Sequence, residues 1–178
     1  MKKRYLILAL IFLVSVSFQL YFSFNVDQFS SDSAYYELRH SEYITENFSP
    51  MVYDDLSYGG NFILDTHLWH YFLGILGMIL PFVFVYKIVP ILLGALIVFF
   101  VYLLAKQVTR SETAALFGAG ISAFIPTFIG VTLNQISSYV VYVPLMLMLL
   151  YCLMNIKKRM GWFLLLSFLI VLLDPMNF

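Results

Sequence analysis

Apolar residues along this chain gather into long runs that polar residues seldom interrupt, which is the pattern of membrane-spanning helices. A spanning helix needs about 20 mostly apolar residues, because each residue advances an α-helix by about 1.5 Å. Three basic residues (2–4) precede the first run, which is too long for a cleaved signal and predicts an anchor with a cytoplasmic N-terminus. Five runs are predicted to span the membrane: residues 5–24, 88–105, 114–130, 138–154 and 161–173.

A further apolar segment, residues 66–80, is short for a span. If it crossed the membrane, every basic residue from Lys106 onward would lie outside. Without it, most basic residues lie on the cytoplasmic side, as the positive-inside rule expects, and only Arg39 and Lys87 lie outside. The segment is therefore predicted to be an interfacial helix within an external loop of residues 25–87. Its rings suit the headgroup level of the membrane: His67, Trp69, His70 and Tyr71.

Composition agrees with a membrane protein. Hydrophobic residues make up 62% of the 178 residues and charged residues 11%, whereas soluble domains have roughly 45–50% and about 25%. These values exclude a soluble monomer, and a net charge of zero leaves no basic face for nucleic acid. The single cysteine, Cys152, cannot form an intrachain disulfide. The chain ends at Phe178 directly after an apolar run, so we expect a truncated fragment of a longer protein.

Acidic residues concentrate in the external loop. They make this loop the most distinctive electrostatic region of the chain and the first place to look for chemistry. The loop acids are Asp27, Asp32, Glu37, Glu42, Glu46, Asp54, Asp55 and Asp65.

The first candidate site begins just beyond the first predicted span. Helical spacing would place Asp32, Tyr35, Tyr36 and Arg39 on roughly one face. The Asp32 carboxylate could bind a hard divalent cation, and Arg39 could pair with a phosphate through two hydrogen bonds. The alternative is that Asp32 is the N-cap of an amphipathic helix over residues 33–47, with Arg39 in surface ion pairs.

Two other loops are less distinctive. Residues 53–60 combine two Asp residues with two Gly residues, which is an ordinary loop signature. Residues 131–138 form a short, polar, uncharged turn between the third and fourth predicted spans. This second external turn contains Gln135 and Ser137, and it could be a simple connection.

The order of these features is similar to the N-terminal part of the GT-C membrane glycosyltransferases, above all the catalytic subunit of bacterial and archaeal oligosaccharyltransferases. The resemblance covers residues 1–175 and less than half of a full-length family member. It implies an all-α, polytopic membrane helix bundle with a GT-C-like N-terminal module. The matching stretches are residues 31–35, 55–60, 103–106, 114–123 and 142–146.

The same resemblance implies roles for particular residues. In that family an Asp of the first external loop binds a divalent metal (Mg or Mn) or acts as the catalytic base, and Asp32 matches it. A second acidic pair usually stands where this chain has Gln135 and Ser137, whose uncharged oxygens are weaker ligands for a hard cation. The implied donor is a polyprenyl- or dolichyl-phosphate sugar lipid, and the implied acceptor is a protein or glycan. Tyr35, Arg39, Gln135 and Ser137 are then candidate substrate contacts.

Two other functions stay open. Loss of the second acidic pair would also suit a non-catalytic GT-C-like subunit that supports another transferase. A transporter or channel is disfavoured, because no predicted span carries an ionisable residue near its centre. A flippase for a lipid-linked sugar stays conceivable. In each case the sequence predicts a multi-pass protein, with the plasma membrane as the expected location.

Overall fold

The computed structural model describes residues 2–56, 59–63 and 68–173, and these are mostly helical, as the sequence predicts. The strands described are a two-residue antiparallel pair, β1 (Tyr53–Asp54) with β2 (Asn61–Phe62).

Two helices are long and apolar enough to cross a membrane. The first is α1 (Lys2–Phe24), which agrees with the predicted anchor. The second runs from Phe84 to Thr109 and is longer than the predicted span of residues 88–105. It consists of a π-helical turn (Phe84–Ile88), then α4 (Val89–Ala95) and α5 (Ile97–Thr109).

The predicted span over residues 114–130 is bent in the structure. The chain forms α6 (Glu112–Ser122) and α7 (Pro126–Thr132), which meet at a bend of 54°. Pro126 causes the bend, because its ring removes a backbone donor and forces Ile125 into an extended conformation, with ψ of 116°. The pair counts as a third candidate span only if the two halves are taken together.

The last two helices pack side by side. They are α8 (Tyr139–Met154), close to the predicted 138–154, and α9 (Ile156–Leu172), which begins before the predicted 161–173. Pro144 lies inside α8 rather than at its end, and Arg159 interrupts α9 with non-helical backbone angles. Within the described residues, the predicted number of five spans is therefore not confirmed.

Within the described residues, two helices lie in the loop of residues 25–87, which the sequence predicts to be external. The first is α2 (Asp32–Asn47), one residue longer than predicted, and the second is α3 (Leu68–Gly77), shorter than the predicted 66–80. Residues 66 and 67 of that prediction lie outside the described residues. The helices approach closely at Gly74, where an added Cβ would lie 2.8 Å from Ile44 Cγ2. A small residue is therefore required at this crossing.

Small residues also let α6 approach its neighbours. Ala115 and Ala119 are fully buried, and they form a core with Leu8 of α1 and with Val98 and Tyr102 of α5. Small side chains let helix backbones approach closely, so α6 packs tightly against α1 and α5.

A line of polar side chains fastens α1 to α6 and α7. Ser15 Oγ donates to the Ala123 carbonyl oxygen at 3.1 Å, and Gln19 Nε2 donates to Ser15 Oγ at 3.2 Å. Thr132 Oγ1 donates to Gln19 Oε1 at 2.6 Å, so this buried amide bonds through both of its ends. Such bonds hold apolar helices in one register, because lipid offers these groups no partner.

Candidate functional site

The two ends of the helix bundle differ in character. At one end Arg4 pairs with Glu112, and Lys106 Nζ lies 3.0 Å from a Glu112 carboxylate oxygen; we call this the basic end. The other end, which we call the loop end, is formed by residues 23–32, 84–88 and 133–138.

Asp32 lies at the loop end as the first residue of α2. The N-cap is its neighbour Ser31, which has extended backbone angles and whose Oγ accepts a hydrogen bond from the Ala34 N–H at 3.4 Å. The predicted N-cap role of Asp32 is therefore wrong. Its side chain is exposed, and it forms no hydrogen bond or ion pair with the residues that the structure describes. A carboxylate here lies at the positive end of the helix dipole.

The second external turn lies beside the segment that leads into Asp32. The Ser30 N–H donates to the Asn134 carbonyl oxygen at 2.9 Å, and Ser30 Oγ lies 3.1 Å from the same oxygen. Gln135 directly follows Asn134 in the chain, and Asp32 lies two residues after Ser30. Both elements of the predicted site thus belong to the same end of the molecule.

The side chains of this turn are partly accessible. Gln135 and Ser137 are half-buried, and Ser137 Oγ accepts a hydrogen bond from the Tyr139 N–H at 3.3 Å. Ile136 between them is buried in an apolar cluster with Ala34. Ile136 therefore lies in the protein interior, and the two polar residues Gln135 and Ser137 lie on either side of it in the chain.

Tyr35 and Arg39 contact the protein rather than each other. The Phe29 N–H donates to the Tyr35 hydroxyl at 3.3 Å, and the Phe29 and Tyr35 rings meet edge to face with centroids 5.4 Å apart. The Arg39 guanidinium pairs with Asp54 of β1, which is only 3% exposed. Arg39 therefore ties α2 to the β-hairpin through an ion pair, but the acid is buried rather than on the surface as the alternative expects.

Sequence reasoning missed the buried histidines of the loop. His70 Nε2 lies 2.8 Å from Glu37 Oε2, across the contact between α3 and α2. His40 is 1% exposed. The centroid of its ring lies 4.0 Å from the ring centroid of Tyr36 and 5.0 Å from that of His70. Helical spacing places Glu37 and His40 on one face, but nothing local shows that His70 meets them. The predicted headgroup role of His70 does not fit its burial.

A cavity of about 310 Å³ lies between α2 and the residues around the start of the second long helix. Glu42 and Glu46 line one side, and Phe82 and Tyr86 line the other. Partial burial raises the pKa of Glu42 above its usual value, and the negative charge of Glu46 raises it further.

The donor set around Asp32 does not favour a divalent metal. Among the described residues, no three His, Cys, Asp or Glu side chains lie close enough together to share a metal ion. The amide of Gln135 and the hydroxyl of Ser137 bring no charge, so they are weaker ligands for a hard cation than carboxylates.

Comparison of the chain with known protein families, with curated proteins and with solved structures finds no match. The structure supports a membrane protein, with two helices long and apolar enough to span the bilayer.

Proposed function

We propose that this chain is the N-terminal part of a multi-pass membrane glycosyltransferase of the GT-C type, acting on the external face with its N-terminus in the cytoplasm. The observation that carries the proposal is the position of Asp32. Its carboxylate is exposed at the loop end, and Ser31 rather than Asp32 caps the helix. The polar turn of residues 133–138 bonds to Ser30, two residues before Asp32.

In the proposed reaction Asp32 acts as the base. Its carboxylate accepts the proton of an acceptor hydroxyl, and that oxygen attacks the anomeric carbon of the donor sugar. The bond between this carbon and the phosphate oxygen breaks, and the polyprenyl phosphate leaves with the electron pair. Gln135 and Ser137 would orient the sugar by hydrogen bonds, because their side chains are partly accessible and uncharged.

A second cavity supports a lipid-linked donor. It has a volume of about 290 Å³ and is lined by aliphatic and aromatic side chains, including Trp69 of α3, Leu145 of α8 and Leu169 of α9. A cavity of this lining between membrane helices suits the hydrocarbon tail of a lipid. It lies between α3 and three helices that we propose to belong to membrane spans, α4, α8 and α9.

The test uses the protein encoded by the complete reading frame, reconstituted in proteoliposomes with radiolabelled polyprenyl-phosphate monosaccharides. We expect Asp32→Asn and Asp32→Ala to abolish transfer of label to acceptor, because neither side chain accepts the proton. Glu46→Gln is the matched control, since Glu46 is an exposed acid in the last turn of α2, at the opposite end of that helix from Asp32, and it should retain activity. Unchanged turnover in both Asp32 variants would remove the carboxylate from the mechanism.

A non-catalytic GT-C-like subunit is the second candidate, favoured by Gln135 and Ser137 standing where the resembling family has acids. Copurification with a partner that keeps its transfer activity when Asp32 is replaced would support this role.

A further inference from the structure

The buried Lys87 fixes the point where the chain leaves α1. Its side chain belongs to the π-helical turn and the residue is 8% exposed. Its Nζ donates to the Val26 carbonyl oxygen at 2.7 Å and to the Ser23 carbonyl oxygen at 3.2 Å. These carbonyls lie at the C-terminal end of α1, where the helix dipole favours a positive charge. A buried ammonium is expensive to desolvate, so an apolar side chain would serve mere packing better.

Asn134 holds the same segment through its side-chain amide. Its Oδ1 accepts a hydrogen bond from Ser23 Oγ at 2.5 Å, and its Nδ2 lies 3.5 Å from the Val26 carbonyl oxygen. The backbone of Asn134 is left-handed, with φ of 50°, a conformation that Asn adopts more readily than most residues. That conformation accompanies the backbone hydrogen bond from Ser30, described above.

These contacts connect three separate parts of the chain. Lys87 comes from the second long helix, Asn134 from the turn after α7, and Ser23 and Val26 from the end of α1. The segment they hold continues through Ser30 directly into Asp32. The position of Asp32 relative to Gln135 therefore depends on the side chains of Lys87 and Asn134, which bond to Ser23 and Val26.

We infer that Lys87 and Asn134 are positioning residues that set the distance and angle between Asp32 and the second external turn. The inference deepens the proposed function and rests on it for its catalytic consequence. The structural part stands alone, because it concerns only where α2 lies relative to the start of α8.

The structural part is tested by electron paramagnetic resonance. Spin labels are placed at Tyr43 of α2 and Tyr139 of α8, both exposed, in a background where the native Cys152 is replaced by Ala. We expect one narrow distance distribution in the parent and in Lys87→Arg, which keeps the charged donors. Lys87→Met should broaden the distribution or shift it. Lys158→Met, an exposed lysine near the basic end, is the matched control and should leave it unchanged.

The catalytic part is tested in the proteoliposome assay. Lys87→Met should lower kcat by about 10-fold to 100-fold with little change in KM, since misplacement by about 1 Å is enough for such a loss. Lys87→Arg should recover most of it. Loss of activity in Asp32→Asn would support the proposed function independently of the Lys87 variants. Retained activity in Asp32→Asn would refute that function, and the distance measurement would still test the structural part.

A narrow, unshifted distribution in both Lys87→Met and Asn134→Gly would overturn the inference. Asn134→Gly keeps the left-handed backbone and removes only the side-chain bonds to Ser23 and Val26. If Lys87→Met fails to fold, the distance distribution of Asn134→Gly alone decides whether the inference holds.

Discussion

Glu37 and Asp54 show how individual residues use charge in the loop of residues 25–87. Each has a basic partner on another element: His70 of α3 for Glu37 and Arg39 of α2 for Asp54. These acids hold the loop together rather than presenting charge to a ligand. The Asp32 side chain, by contrast, is exposed to solvent. Exposure therefore distinguishes the proposed catalytic base from the structural carboxylates of Glu37 and Asp54.

Replacing Arg39 by Met should destabilise the protein. The change leaves the carboxylate of Asp54 buried without this partner, and because Arg39 is itself partly exposed we expect a loss of about 1–3 kcal/mol in the free energy of unfolding. Thermal melts in detergent would measure it. Combining Arg39→Met with Asp54→Asn should recover part of the loss, since the pair is coupled. Simple additivity of the two changes would argue against the pairing.

Glu42 should make stability depend on pH in a defined direction. Its pKa is raised in the folded protein, so the folded state holds the proton more tightly than the unfolded state. The contribution of Glu42 to the free energy of unfolding is therefore most favourable below its usual pKa of 4.5, and it falls as pH rises through the raised pKa. Glu42→Gln should raise the melting temperature slightly at pH 7 and leave it unchanged at pH 4. An equal increase at both pH values would contradict this.

At the scale of elements, local signals were enough for some helices and not for others. The polar sequence from Asp32 to Asn47 and the apolar run of α8 predicted those helices to within one residue at each end. The bend before Pro126 was missed because hydropathy continues across it. The predicted N-cap failed for a local reason: Ser31 and Asp32 are both good caps, and only backbone angles distinguish them.

Gly94 is predicted to be essential to the contact between α4 and α7. A Cβ at this position would lie 2.4 Å from Thr132 Cγ2, so Gly94→Ala should cost about 1–3 kcal/mol through overpacking. The double variant Gly94→Ala with Thr132→Ser should recover stability. Serine lacks the clashing methyl group but keeps the hydroxyl that bonds to Gln19.

Gly120 of α6 provides the control for that experiment. A Cβ there meets no atom within 4 Å among the described residues, so Gly120→Ala should be neutral or should stabilise by up to about 1 kcal/mol. Equal losses at Gly94 and Gly120 would show that helix content, rather than the approach to Thr132, decides the effect.

Across the whole molecule, polar contacts join parts of the chain that are far apart in sequence. Gln19 and Thr132 are 113 residues apart, and Ser23 and Asn134 are 111 apart. Hydropathy predicted which segments are helical, but it contains no information on such partners. The same limit applies to the candidate site, where Asp32 was identified from the sequence and Lys87 and Asn134 were found only in three dimensions.

The proposed membrane orientation can be tested by cysteine labelling. Cys152 is buried, so single cysteines introduced at Ser33 and at Lys158 should report without interference. In intact cells an impermeant maleimide should label position 33, while position 158 should react only after permeabilisation. Labelling of both from the same side would refute the proposed topology.

The π-helical turn at Phe84–Ile88 makes the length of this segment critical. A π turn contains one residue more than the α-helix would need, so a deletion here would let the helix close normally. The preceding chain would then rotate by about 100° around the helix axis, since that is the angle one residue subtends. Evolutionary insertions and deletions that preserve this protein should therefore fall elsewhere, for example between α2 and β1.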